Sequence, residues 1–117
     1  NNRRKSLSVE HTYMDDLPCE AVCVPKIADL LLELRSRLRR VDSDYLVTKQ
    51  FIKLKFNDFT STTVERQMTK GLPVESFEDL FYQAWERGNR PVRLIGLGVR
   101  FIDTSQQDLG LQLNLFD

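Results

Sequence analysis

Cysteine and histidine are scarce in this 117-residue chain, and their scarcity removes most catalytic and metal chemistry at the outset. Cys19 and Cys23 are the only cysteines, four apart at helical spacing, so no disulfide framework can form. His11, the only histidine, brings the ligand count to three, one short of a closed zinc set, so the cysteines are expected to be buried small residues rather than part of a metal site. A single histidine with no Ser or Cys pattern near it leaves no nucleophile–base pair, and His11 reads as an inward-facing strand residue. Two-metal phosphoryl transfer needs carboxylates that converge on ions about 4 Å apart. Asp42 and Asp44 are the close acidic pair outside the expected helices and their ends, and they sit in a loop that reads as a solvated turn. No apolar run reaches membrane length and no signal peptide is visible, so no membrane partner and a cytoplasmic setting are expected. The first residue is Asn1 rather than Met, and a piece cut from a larger protein is expected, without catalytic or metal residues of its own.

What remains is patterned. At 41% hydrophobic and 29% charged, the chain fits one domain with a single core. Ser6 to Tyr13 alternates, with Leu7, Val9, His11 and Tyr13 on one face, which is strand periodicity. Asp16 and Pro18 look like a helix start, and Ile27, Leu31, Leu34, Leu38 and Val41 recur at helical spacing, with a kink expected at Pro25. Lys49 to Phe56 alternates again, placing Ile52, Leu54 and Phe56 inward and Phe51, Lys53 and Lys55 outward. Asn57 and Asp58 turn into a Thr-rich strand, Phe59 to Met68, to close a hairpin. Ser76 and Asp79 resemble a capping box opening a helix whose stripe is Phe77, Leu80, Phe81, Ala84 and Trp85. Gly88, Asn89 and Pro91 end that helix, and Val92 to Ile102 is a last strand with Ile95, Leu97, Val99 and Phe101 inward.

The order βαββαβ predicts an α+β fold, a four-stranded antiparallel sheet with both helices on one face and the other face bare. The strand segments and their lead-in hold ten basic and three acidic residues, against seven and fourteen in the rest of the chain, mostly its helical segments and tail. A bare, positive, Ser/Thr-rich sheet face opposite an acidic helical layer is therefore expected. Such a face suits a phosphate backbone, because cations supply counterion release and hydroxyls supply hydrogen bonds without base information. The alternative from charge alone is an ordinary solvated sheet.

The tail offers a second surface. After the loop-forming run Asp103 to Gly110, Gln112, Leu113, Asn114, Leu115 and Phe116 combine an amide with two leucines and an aromatic, as a peptide docking into a partner's groove does. This pentapeptide resembles the bacterial sliding-clamp-binding motif, with Asn114 in its tolerant third position. A last strand with a sticky apolar end is the plainer alternative. The chain is accordingly expected to divide into a domain, residues 1–103, and a flexible tail, residues 104–117.

Three further motifs, in order, carry a resemblance over almost the whole chain. Arg4, Lys5, Ser6, Leu7, Ser8, Val9, Glu10, His11 and Thr12 are similar to the opening strand of the little finger domain of bacterial Y-family DNA polymerase IV. Lys53 to Phe59 with Thr62 and Thr63 resembles its hairpin, and Val92 to Leu97 its last strand. The resemblance implies a non-catalytic DNA-binding accessory domain of a translesion polymerase, with strand order 1-4-2-3 rather than the ferredoxin-like 4-1-3-2. It implies backbone contacts by Lys5, Ser6, Ser8, Thr12, Lys53, Lys55, Ser61, Thr62, Thr63, Arg93 and Arg100, although alternation puts Arg93 in phase with the buried Ile95. Gly96 and Gly98 suggest close backbone approach to DNA there. Phe51 is expected to support the lysine stems rather than stack on bases. Primer–template DNA and the β sliding clamp are the implied partners of a monomeric fragment, which itself needs no cofactor. Mg²⁺ and DNA polymerase activity are implied for the parent protein. A non-catalytic Y-family homologue, or a clamp-recruited nucleic-acid-binding adaptor, is the alternative. An RNA-binding sheet is a third class, disfavoured because Phe51 is the lone aromatic on the exposed face.

Overall fold

A computed structural model of the chain describes residues 4–42 and 44–103. The elements run β1 (Arg4–Leu17), α1 (Glu20–Leu38), β2 (Tyr45–Phe56), β3 (Ser61–Gln67), α2 (Val74–Gly88) and β4 (Val92–Asp103). The four strands form one antiparallel sheet in the order β1-β4-β2-β3, the 1-4-2-3 arrangement rather than 4-1-3-2. The tail residues 104–117, including the Gln112–Phe116 motif, lie outside the described residues.

Alternation settles which face is which. Val9, Ile52, Leu54, Val64, Ile95, Leu97, Val99 and Phe101 point from the sheet to one side and are buried there. Against them pack Cys23, Ile27, Leu30, Leu31 and Leu34 of α1 and Phe77, Leu80, Phe81, Ala84 and Trp85 of α2. Each such large side chain contributes about 1.5–3 kcal/mol through apolar burial. With both helices committed to this side, no element of the described residues covers the opposite face of the sheet.

One buried polar residue ties the layers. Gln50, fully buried on β2, donates from Nε2 to Ser76 Oγ at 2.8 Å and accepts from the Thr69 amide at 2.8 Å. Ser76 Oγ in turn donates to the Pro73 carbonyl at 2.6 Å. Among the described residues no buried side-chain nitrogen or oxygen lacks a hydrogen-bond partner, and the bonds to Gln50 offset the desolvation cost of burying its amide. The same contact corrects the capping-box reading: α2 begins at Val74 with Pro73 as its N-cap, and Ser76 is a buried residue of the first turn.

The start of α1 is corrected as well. β1 does not stop at Tyr13 but continues to Leu17; its register with β4 shifts between Thr12 and Leu17, and Leu17 is buried opposite Val92. The helix therefore starts at Glu20, with the extended Cys19 as N-cap, its carbonyl accepting from the Val22 and Cys23 amides at 3.2 Å. α1 remains one helix through Pro25. Asn89 closes α2 in the left-handed conformation, its amide donating to the Trp85 carbonyl at 2.7 Å.

Candidate nucleic-acid interface

Cross-strand partners share a face, so the register assembles the uncovered surface row by row, from β1 through β4 and β2 to β3. The rows are Ser6, Arg100, Lys49, Gln67; then Ser8, Gly98, Phe51, Glu65; then Glu10, Gly96, Lys53, Thr63; then Thr12, Leu94, Lys55, Ser61. Of the eleven residues implied as backbone contacts, Ser6, Ser8, Thr12, Lys53, Lys55, Ser61, Thr63 and Arg100 come together on this face. Lys49 joins them, although the motif-by-motif comparison passed it over. Its signal was available, because Lys49 lies two residues before Phe51 on an alternating strand.

Three residues stand apart. Lys5 is in register with Phe101, on the helix side, and its ammonium donates to Tyr45 Oη at 2.8 Å. Thr62 pairs with Leu54, again on the helix side, and its hydroxyl accepts from Arg87 of α2 at 2.8 Å. Arg93 lies near the register shift by Phe56, with its guanidinium 4.8 Å from the centroid of the exposed Phe59 ring.

The face is not uniformly positive, which corrects the expected dipolar slab. Four cations, Lys49, Lys53, Lys55 and Arg100, share it with two carboxylates, Glu10 and Glu65. Lys53 lies 3.6 Å from Glu10, while Glu65 accepts from both Arg100 Nε and Lys49 Nζ, the latter at 3.4 Å. The Arg100 hydrogen bond is the main reason the Glu65 carboxyl is held below its ordinary range. Among the described residues, Lys55 makes no ion pair. The other strand-segment cations sit elsewhere: Arg66 is in register with Gln50, and Arg90 pairs with Asp58 in the hairpin turn. Asp15 and Asp16, counted with the helices, belong to β1.

The glycines are also explained differently than expected. A Cβ at Gly98 would collide with the Phe51 ring, and one at Gly96 would press on the Glu10 carboxylate at 3.3 Å. The space above both is thus filled by this chain's own side chains and is not open for a DNA backbone. Phe51 is only 9% exposed, with the Arg100 guanidinium 4.9 Å from its centroid. It supports a cation, as expected of it, but that cation is an arginine, and its ring is not free to stack on a base.

No metal chemistry is built here: among the described residues, no three His, Cys, Asp or Glu side chains group so as to hold an ion. The Mg²⁺ implied for a parent polymerase therefore does not fit these residues. No helix of the described residues is long and apolar enough to cross a membrane.

Residues 4–115 match the model of the impB/mucB/samB family C-terminal domain. The chain is also 36% identical to a little finger domain of PolIV solved in complex with the beta-clamp processivity factor, with a TM-score of 0.73 over 81% of this chain and 86% of that one. The chain belongs to the little finger domain family. DNA polymerase IV of Pseudomonas putida is 50% identical over 88% of this chain, and that of Pseudomonas syringae pv. tomato 47% over 99%. This little finger domain spans 29% and 32% of the length of those two relatives. A DinB from Sulfolobus solfataricus, 16% identical with a TM-score of 0.64 over 84% of this chain and 29% of that one, shares the fold.

Proposed function

We propose that the open sheet face grips the sugar–phosphate backbone of primer–template DNA and steadies it for the catalytic part of a translesion DNA polymerase. The observation that carries this reading is the composition of an uncovered face. Five hydroxyl residues, Ser6, Ser8, Thr12, Ser61 and Thr63, alternate with four cations across adjoining strands. Hydroxyls and cations are what a phosphate backbone takes; of the side-chain types that read base edges, the rows of this face hold one amide, Gln67, and one arginine, Arg100, which is engaged by Glu65. The carboxylates of Glu10 and Glu65 are exposed enough to yield, since ion pairs in water are worth only about 0–1 kcal/mol.

The polymerase activity belongs on this reading to the remainder of the parent protein, because the DNA polymerase IV relatives extend well beyond the matched region. The tail supplies the second contact: Gln112 to Phe116 docks on a sliding clamp, a reading supported by its motif and by the solved relative in complex with a beta-clamp. A DNA partner and a clamp also argue for a cytoplasmic setting.

Fluorescence anisotropy of the domain on labelled duplex DNA tests the backbone grip. Affinity should fall with salt with a log–log slope of about 0.9 per phosphate contacted, and should vary little among sequences. A slope near zero, or a dominant sequence preference, would rule this face out as a backbone clamp.

A further inference from the structure

At one end of the open face, Lys5, Ser6, Lys49, Glu65 and Arg100 line a single recess. Two cations converge there on one carboxylate: Arg100 Nε donates to Glu65 Oε1, and Lys49 Nζ to Oε2 at 3.4 Å. Arg100 is aimed by two constraints, since its guanidinium also lies over the Phe51 ring at 4.9 Å. A carboxylate held by two separate cations through its two oxygens presents the same acceptor geometry as two oxygens of a phosphodiester. The three side chains are 33% to 44% exposed, so water and a competing anion reach them.

We propose that Glu65 is a displaceable internal stand-in for a backbone phosphate, which keeps Arg100 and Lys49 oriented in the free domain and is exchanged for a phosphate when DNA arrives. This inference rests on the backbone-grip reading and adds a specificity element to it. Each binding event must expel a fixed negative charge, so weak or badly placed polyanions are rejected while a well-placed phosphate is accepted. Glu10 plays a lesser version of the part, meeting the single cation Lys53 at 3.6 Å.

The test is Glu65→Gln, which keeps an acceptor oxygen for Arg100 and removes the charge. On duplex DNA the variant should bind about two- to tenfold more tightly at low salt, with a slope steeper by about 0.9, and the difference should close as salt rises. Glu10→Gln should gain less. A purely structural Glu65 would give the opposite: Glu65→Gln would bind more weakly, with an unchanged or shallower slope, and the proposal would be overturned. Inorganic sulfate, followed through the Arg100 Nε–H signal by NMR, serves as a probe independent of DNA. The signal should respond at lower sulfate concentration in Glu65→Gln than in the unaltered domain. If the unaltered domain binds no DNA, the backbone grip falls and the sulfate comparison alone decides; equal sulfate responses then overturn the stand-in as well.

Discussion

The ring of Phe51 on β2 occupies the space above Gly98 on β4 that a Cβ would need. The pair is a lock across two central strands, and it also sets the height of the Arg100 guanidinium above the sheet. Gly98→Ala should therefore destabilise the domain by about 1–3 kcal/mol through overpacking. Phe51→Ala should cost a similar amount through lost burial. In the double variant the new methyl enters the emptied space, so the combined cost should fall short of the sum by at least about 0.5 kcal/mol. Urea unfolding of the four proteins measures this, and strictly additive costs would show that ring and glycine do not share the space.

Two exposed carboxylates should give the domain an acid limb. Asp58 is held below its ordinary value of 3.8, chiefly by the Thr60 hydroxyl and amide, and Glu65 below 4.5, chiefly by Arg100. Folded pKa values below the unfolded ones mean that the folded state binds protons less readily. The stability these groups contribute is thus complete above about pH 4.5 and is lost as pH falls toward the folded values. Asp58→Asn and Glu65→Gln should each lower stability at neutral pH and flatten its dependence on pH below that point. Thermal unfolding followed across pH 2–6, about the span of carboxylate titration, checks it; parallel curves for variant and unaltered protein would refute the assignment.

Most of the fold could be read from the sequence because burial here follows a strict period. The stripe Phe77, Leu80, Phe81, Ala84, Trp85 and the strand series Ile95, Leu97, Val99, Phe101 are all buried as their spacing demands. Boundaries were less legible. Asp16 and Pro18 look like a helix start, but β1 carries Asp16 through a register shift and Pro18 follows the strand. Ser76 looks like a cap because the buried Gln50 that claims its hydroxyl lies 26 residues away. The charges of the candidate site were the hardest part. Counting them by segment cannot reveal that Glu65 reaches Arg100, because β3 and β4 are not neighbours in the sheet and only the strand order places β2 alone between them. Lys5 and Thr62 likewise belong to the right strands but to the side facing the helices.

The lysines of the open face should not be equivalent. Lys55 makes no ion pair among the described residues, whereas Lys53 is shared with Glu10 at 3.6 Å. Lys55→Ala should remove a full phosphate contact and make the salt slope shallower by about 0.9, with Lys53→Ala costing less. The double variant should weaken binding to all sequences alike and leave binding to a sliding clamp unchanged, as distant sites usually behave. Anisotropy on duplexes of different sequence, beside calorimetry with a clamp, measures both. Loss of clamp binding in the double variant would mean that the sheet itself is the protein-binding surface.

The tail carries the last expectation. If Gln112 to Phe116 docks on a clamp, Leu115 and Phe116 are its apolar anchors, each contributing about 1.5–3 kcal/mol on burial, offset in part by ordering the backbone. That balance gives a peptide dissociation constant of order micromolar. Gln112 contributes a hydrogen bond at a wet pocket rim, worth about 1 kcal/mol net, so Gln112→Ala should weaken binding about fivefold. Leu115→Ala with Phe116→Ala should abolish detectable binding, because anchors of this kind dominate small interfaces. DNA affinity should be the same in all these variants, since the open face is built from other elements. Calorimetric titration of a beta sliding clamp with each variant decides the matter. A double anchor variant that bound as tightly as the unaltered chain would mean that the clamp is held, if at all, by some other surface of the domain.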